Sequence, residues 1–96
     1  MPAYFFVDVR EIKDAAKMQE YRARVVAVIE KFGGRYLVRG GPFEVVEGSY
    51  QPVFPVMLEF PNMEKAREWY DSEEYRELKQ MRLDATACNC VFIAGR

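Results

Sequence analysis

Three charged side chains have the types and the spacing for acid–base chemistry. Arg39 lies in the segment GGRYLVRGG, and Asp8 and Glu59 sit in two other stretches with strand character. In a semi-enclosed site an arginine fork can hold a carboxylate or an enolate while a nearby carboxylate moves a proton. The same residues can instead form an ion pair that closes a dimer. An adjacent guanidinium lowers a carboxylate's pKa and makes it a poorer base near neutral pH, which favours the ion pair.

A second set is aromatic. Tyr36, Trp69, Tyr70 and Tyr75, with Arg39, are placed to line a pocket between sheet and helices and to orient a small aromatic or lactone-like molecule. Aromatics at helical spacing more simply fill a core, where they bury large areas and need one hydrogen bond each. Cys88 and Cys90 form a C-x-C pair on one face of the last strand. Two thiols are half a zinc site with nothing to complete it, and packing is their expected role. Gly40-Gly41 lacks the helix start and lysine of a phosphate-binding loop and reads as a bulge. The 96 residues contain no histidine, so the commonest base, metal ligand and nucleophile partner is missing. No metal and no cofactor are expected.

The elements that must position these residues are readable in order. Ala3 to Arg10 alternates as a strand, with Phe5, Val7 and Val9 on one face and Tyr4, Phe6, Asp8 and Arg10 on the other. Asp14 caps a helix running to about Phe32, whose stripe is Met18, Tyr21, Val25, Val28, Ile29 and Phe32. Gly33 or Gly34 ends it. In the next strand Tyr36 and Val38 face one way and Arg35, Leu37 and Arg39 the other. Phe43 to Glu47 resumes extended structure, and Val53 to Phe60 returns as a hairpin whose register sets Arg39 beside Glu59.

Asn62 then caps a helix from Met63 to about Asp71, and Ser72 caps another to about Ala85, carrying Tyr75, Leu78 and Met81 or Arg82. Thr86 to Ala94 closes the chain as a strand. The order β-α-β-β-α-β is that of a ferredoxin-like α+β fold with an antiparallel sheet, one domain over residues 1–96.

Fourteen basic and 15 acidic side chains leave a net charge of −1, which gives no electrostatic footprint for nucleic acid or an anionic membrane. No apolar run reaches the length of a membrane span, and the start MPAYFFVDVR lacks signal-peptide features, so a cytoplasmic protein is expected. The sheet face opposite the helices would hold Tyr4, Phe6, Asp8, Arg35, Leu37, Arg39, Met57 and Glu59. That face is too apolar to leave in water and suits a second copy of the chain, giving a homodimer.

The runs GGRYLVRGG and VMLEFPNMEKAREWYDSEEY, with the later Arg82, resemble the uncharacterised bacterial family called domain of unknown function 1330. The resemblance implies a ferredoxin-like monomer of the dimeric α+β barrel superfamily and implies no activity. Relatives in that superfamily include cofactor-independent monooxygenases, lactone isomerases and haem enzymes, and fold alone does not carry function across. The histidine ligand of the haem enzymes has no counterpart here. The leading expectation is a small homodimer that binds a small, partly apolar molecule. The alternatives are a cofactor-independent oxygenase or isomerase acting on an activated carbonyl compound, with Arg39 steadying negative charge and Asp8 or Glu59 as base, and a structural or regulatory interaction module.

Overall fold

The computed structural model describes residues 1–96. The elements run β1 (Ala3–Ile12), α1 (Ala15–Lys31), β2 (Arg35–Arg39), β3 (Pro55–Phe60), α2 (Met63–Tyr70), α3 (Glu73–Ala85) and β4 (Thr86–Ala94). The four strands form one sheet in the order β2-β3-β1-β4, with every pairing antiparallel. This is the expected α+β architecture, with all three helices following the caps read from the sequence. Asp14 accepts from the Lys17 N–H, Asn62 from the Lys65 N–H and Ser72 from the Tyr75 N–H. Each cap satisfies a first-turn donor that has no partner within the helix.

The core lies between the sheet and the helices. Phe5, Val7 and Val9 of β1 and Leu58 and Phe60 of β3 face Met18, Tyr21, Val25 and Ile29 of α1 and Trp69, Tyr75 and Leu78 of α2 and α3. Trp69 is its centre, with ring centroids 5.4 Å from Phe5, 5.3 Å from Phe60 and 4.2 Å from Tyr75. Burying each of these large side chains contributes roughly 1.5–3 kcal/mol before entropy is subtracted.

The long connection between β2 and β3 departs from expectation. No strand forms over Phe43–Glu47, and β3 begins at Pro55 rather than Val53. The reason is a competing acceptor. The Asp8 carboxylate takes the backbone N–H groups of Val53 and Phe54, both at 2.9 Å, and so removes them from a strand ladder. Pro42, Pro52 and Pro55 have no N–H to offer one. At the start of this connection Gly40 has φ +66°, and a Cβ there would stand 2.3 Å from the Phe54 ring, so only glycine fits.

A bulge in β2 overturns the expected facing of Arg39. Tyr36 pairs with Leu58, but Val38 pairs with Met57 and Arg39 with Val56, the register shifting across Leu37. The extra residue turns Arg39 onto the helix side, the same side as Tyr36. Glu59 therefore pairs with Arg35 instead of Arg39, at 2.7 Å.

Candidate functional site

A cavity of about 260 Å³ lies between the sheet and the helices. Eleven of its 14 lining residues are hydrophobic, and the other three are Arg22, Arg39 and Arg82. No carboxylate lines it. Arg22 and Arg39 are exposed, whereas Arg82 is only 5% exposed.

Of the residues expected at a site, the cavity brings together Tyr36, Arg39 and Trp69. The Arg39 guanidinium lies 3.9 Å from the centre of the Tyr36 ring, a cation–π contact between two lining residues. Tyr70 is half-buried and stacks beside Phe92 and Trp69, outside the lining. Tyr75 is fully buried behind the lining.

Asp8 and Glu59 stand away from Arg39, outside the cavity. Glu59 is on the opposite face of the sheet, held by Arg35. Asp8 has no exposed surface and accepts from Tyr50 Oη and Arg10 Nη1, both at 2.6 Å, as well as from the two loop N–H groups. Burial would raise its pKa, but these four donors outweigh that and hold it well below the usual carboxylate range. Such a carboxylate is a poor base at neutral pH. Its geometry is that of a clamp fastening the 40–54 connection to the sheet.

Two residues of this site were not singled out as site candidates from the sequence. Tyr21 Oη lies 2.7 Å from Tyr75 Oη, and Arg82 Nε donates to Tyr75 Oη at 3.3 Å, which makes a buried chain of three polar groups. Burial raises both phenol pKa values, so the tyrosines stay neutral. The other contact of Arg82 is long, from Nη1 to Cys90 Sγ at 3.5 Å. Desolvation opposes its charge, yet the neighbouring Tyr75 and Cys90 raise its pKa, and the guanidinium remains protonated. A legible signal existed. Arg82 falls four residues after Leu78 and seven after Tyr75, placing a cation on the apolar stripe of α3.

Cys88 and Cys90 are free, half-buried and on the same face, as expected from their spacing. A hydrogen bond from Cys90 pulls the Cys88 thiol down to about 6, helped by Thr86 and Arg82, while sharing that bond pushes Cys90 up. The alkylation rate of Cys88 by iodoacetamide is therefore expected to rise through about pH 6 and level off before an ordinary thiol, near about 8.5, would titrate. Replacing Cys90 with Ala should move that midpoint upward. A wild-type rate that keeps climbing to pH 9 would contradict the pairing.

No curated protein matches the chain. Among solved structures, a protein of unknown function from Rhodopseudomonas palustris is similar over 99% of this chain and 82% of that one, at 18% identity and a TM-score of 0.78. A dimeric ferredoxin-like protein of unknown function from Jannaschia sp. CCS1 matches over 99% and 100% of the two chains, at 12% identity and a TM-score of 0.64. A dimeric protein of unknown function with a ferredoxin-like fold from Bacteroides fragilis matches over 98% and 96%, at 13% identity and a TM-score of 0.57. At these identities the likeness is one of fold. The family model described as domain of unknown function (DUF1330) matches residues 2–96, nearly the whole chain, and the protein belongs to that family.

Proposed function

We propose that this protein is a homodimer that binds a small, largely apolar molecule in the cavity between its sheet and its helices. The observation that carries the reading is the cavity itself: about 260 Å³ of space walled by aromatic and aliphatic side chains, inside a domain of only 96 residues. Close-packed interiors leave few voids larger than a water molecule, so a cavity of this size in so small a core calls for an occupant. Binding is favoured over the oxygenase or isomerase alternative because the walls offer guanidinium groups and neutral phenols but no carboxylate to move a proton.

The dimer rests on the other face of the sheet. Phe6 lies between Met57 and Val91, and Tyr4 between Glu59 and Ile93, in two rows across three strands. Val91 is 50% and Ile93 46% exposed, an apolar surface that a second copy would cover. The dimeric ferredoxin-like proteins of similar fold support that choice. Ile93→Glu is expected to shift the protein from dimer to monomer in sedimentation velocity, while unchanged circular dichroism shows the fold intact. A variant that stays dimeric would remove this face from the interface.

The ligand reading is tested with Nile red, a neutral apolar dye, against wild type and Val56→Trp. The added indole fills the cavity from β3. Wild type should enhance the dye's fluorescence and the variant should not. Equal enhancement by both, or none by wild type, would refute the reading.

A further inference from the structure

We infer that the cavity selects organic acids: a molecule with an apolar aryl or alkyl body and one carboxylate, the carboxylate seated on Arg82. The inference rests on the cavity being a binding site and names the class of molecule it takes. Two buried side-chain donors in the protein have no acceptor, Arg82 Nη2 and Trp69 Nε1, and both belong to cavity-lining residues. Both residues contact Tyr75. Trp69 stacks on the Tyr75 ring at 4.2 Å, and Arg82 Nε bonds the Tyr75 hydroxyl.

A buried donor left without an acceptor is costly, and native structures rarely tolerate one without a reason. Here the missing partner is an acceptor, and no carboxylate of the chain meets the guanidinium. A ligand carboxylate supplies the acceptor, since it only accepts and has two oxygens. The acidic groups that face Arg82 are the Cys88–Cys90 thiol pair on β4 and the Tyr75 and Tyr21 phenols. These occupy Nε and Nη1 and leave Nη2 open. The other two cations of the lining, Arg22 and Arg39, are exposed and add a positive field that draws an anion in and disfavours a cationic ligand. The aromatic and aliphatic walls take the apolar body. Apart from its three arginines the lining is hydrophobic, so a single carboxylate on an apolar body is the class that fits.

The test uses matched pairs on the wild-type protein. 4-Phenylbutyrate, octanoate and benzoate are titrated by Trp69 fluorescence, each beside its primary amide, which has the same shape without the charge. At least one acid should bind roughly tenfold or more tightly than its amide, the scale of a charge-assisted hydrogen bond lost to a neutral partner. Arg82→Lys should weaken the acid and leave the amide unchanged, because the ammonium lacks the fork. If acids and amides bind equally, the carboxylate assignment fails while the cavity reading survives. If Nile red enters the cavity but no acid binds, the assignment fails in the same way. If neither dye nor acid binds, both fail. Since the acid–amide comparison is made on wild type, it stands even if a variant does not fold.

Discussion

Asp8→Ala is expected to destabilise the protein by about 3–5 kcal/mol, the usual cost of removing one member of a buried, charged hydrogen-bond cluster. Native domains have margins of only about 5–15 kcal/mol, so this single change takes a large share of the total. Four donors converge on the carboxylate: Tyr50 Oη, Arg10 Nη1 and the N–H groups of Val53 and Phe54. Three of them come from residues of the 40–54 connection or its end, and Arg10 also donates to the Gln51 carbonyl at 2.7 Å. Removing the carboxylate leaves two backbone N–H groups without an acceptor and frees the connection from the sheet.

The variant should therefore be cut early by a glutamate-specific protease at Glu44 or Glu47, before the rest of the chain unfolds. The effect also has a pH signature. The folded-state pKa of Asp8 is depressed below its ordinary 3.8, so its stabilisation is complete above that value and is lost as pH falls towards the folded one. Wild type should lose stability between about pH 5 and about pH 2, and Asp8→Asn should show a flatter profile. Urea unfolding that places Asp8→Ala within about 1 kcal/mol of wild type would remove the clamp from this account.

Below about pH 6, where the Cys88 thiol is protonated, Arg82→Met is expected to do the opposite and raise stability by about 2 kcal/mol, seen as an increase of roughly 8 °C or more in the thermal midpoint. Arg82 is buried beside neutral phenols and the Cys88–Cys90 thiol pair, with long bonds to Tyr75 Oη and Cys90 Sγ and one nitrogen without a partner. Desolvating a cation without a carboxylate costs several kcal/mol, and the Tyr75 and Cys90 groups that raise its pKa are themselves shifted upward and uncharged here, so they return little of it. Methionine keeps the packing of the arginine stem and brings no charge. Tyr75 would keep its bond with Tyr21. A gain in stability accompanied by a loss of ligand is the expected mark of a residue retained for binding. The Cys88 thiol should shift upward in the same variant, since Arg82 is one of the groups that lowers it. A destabilised Arg82→Met would show that the guanidinium is a structural support.

The elements were legible because each carries its own local signal. Asp14, Asn62 and Ser72 announce three helix starts, and Gly33, with φ +82°, ends the first. The alternation in β1 separates the core face from the outer face correctly. Where the structure departs from the local signals, the cause is a long-range partner. Nothing near Leu37 in sequence marks a bulge there. It depends on how β2 meets β3, and that one residue carries Arg39 from the outer face into the cavity.

The fate of Phe43–Glu47 and Val53 was hidden for a similar reason, because Asp8, more than 40 residues earlier, captures the N–H groups that a hairpin would have used. Arg82 was visible on the stripe of α3, but its lack of a carboxylate partner is a property of the packed chain. Tyr36 and Trp69 were found from aromatic character alone. Tyr75, chosen on the same grounds, lies one layer deeper.

On this reading a dimer of the chain takes one apolar monocarboxylate per subunit. Native mass spectrometry with 4-phenylbutyrate or its amide in excess reads both halves of it at once. A two-subunit ion carrying two molecules of the acid and little of the amide is the expected result. A single-chain ion, or a dimer that carries acid and amide alike, would contradict it.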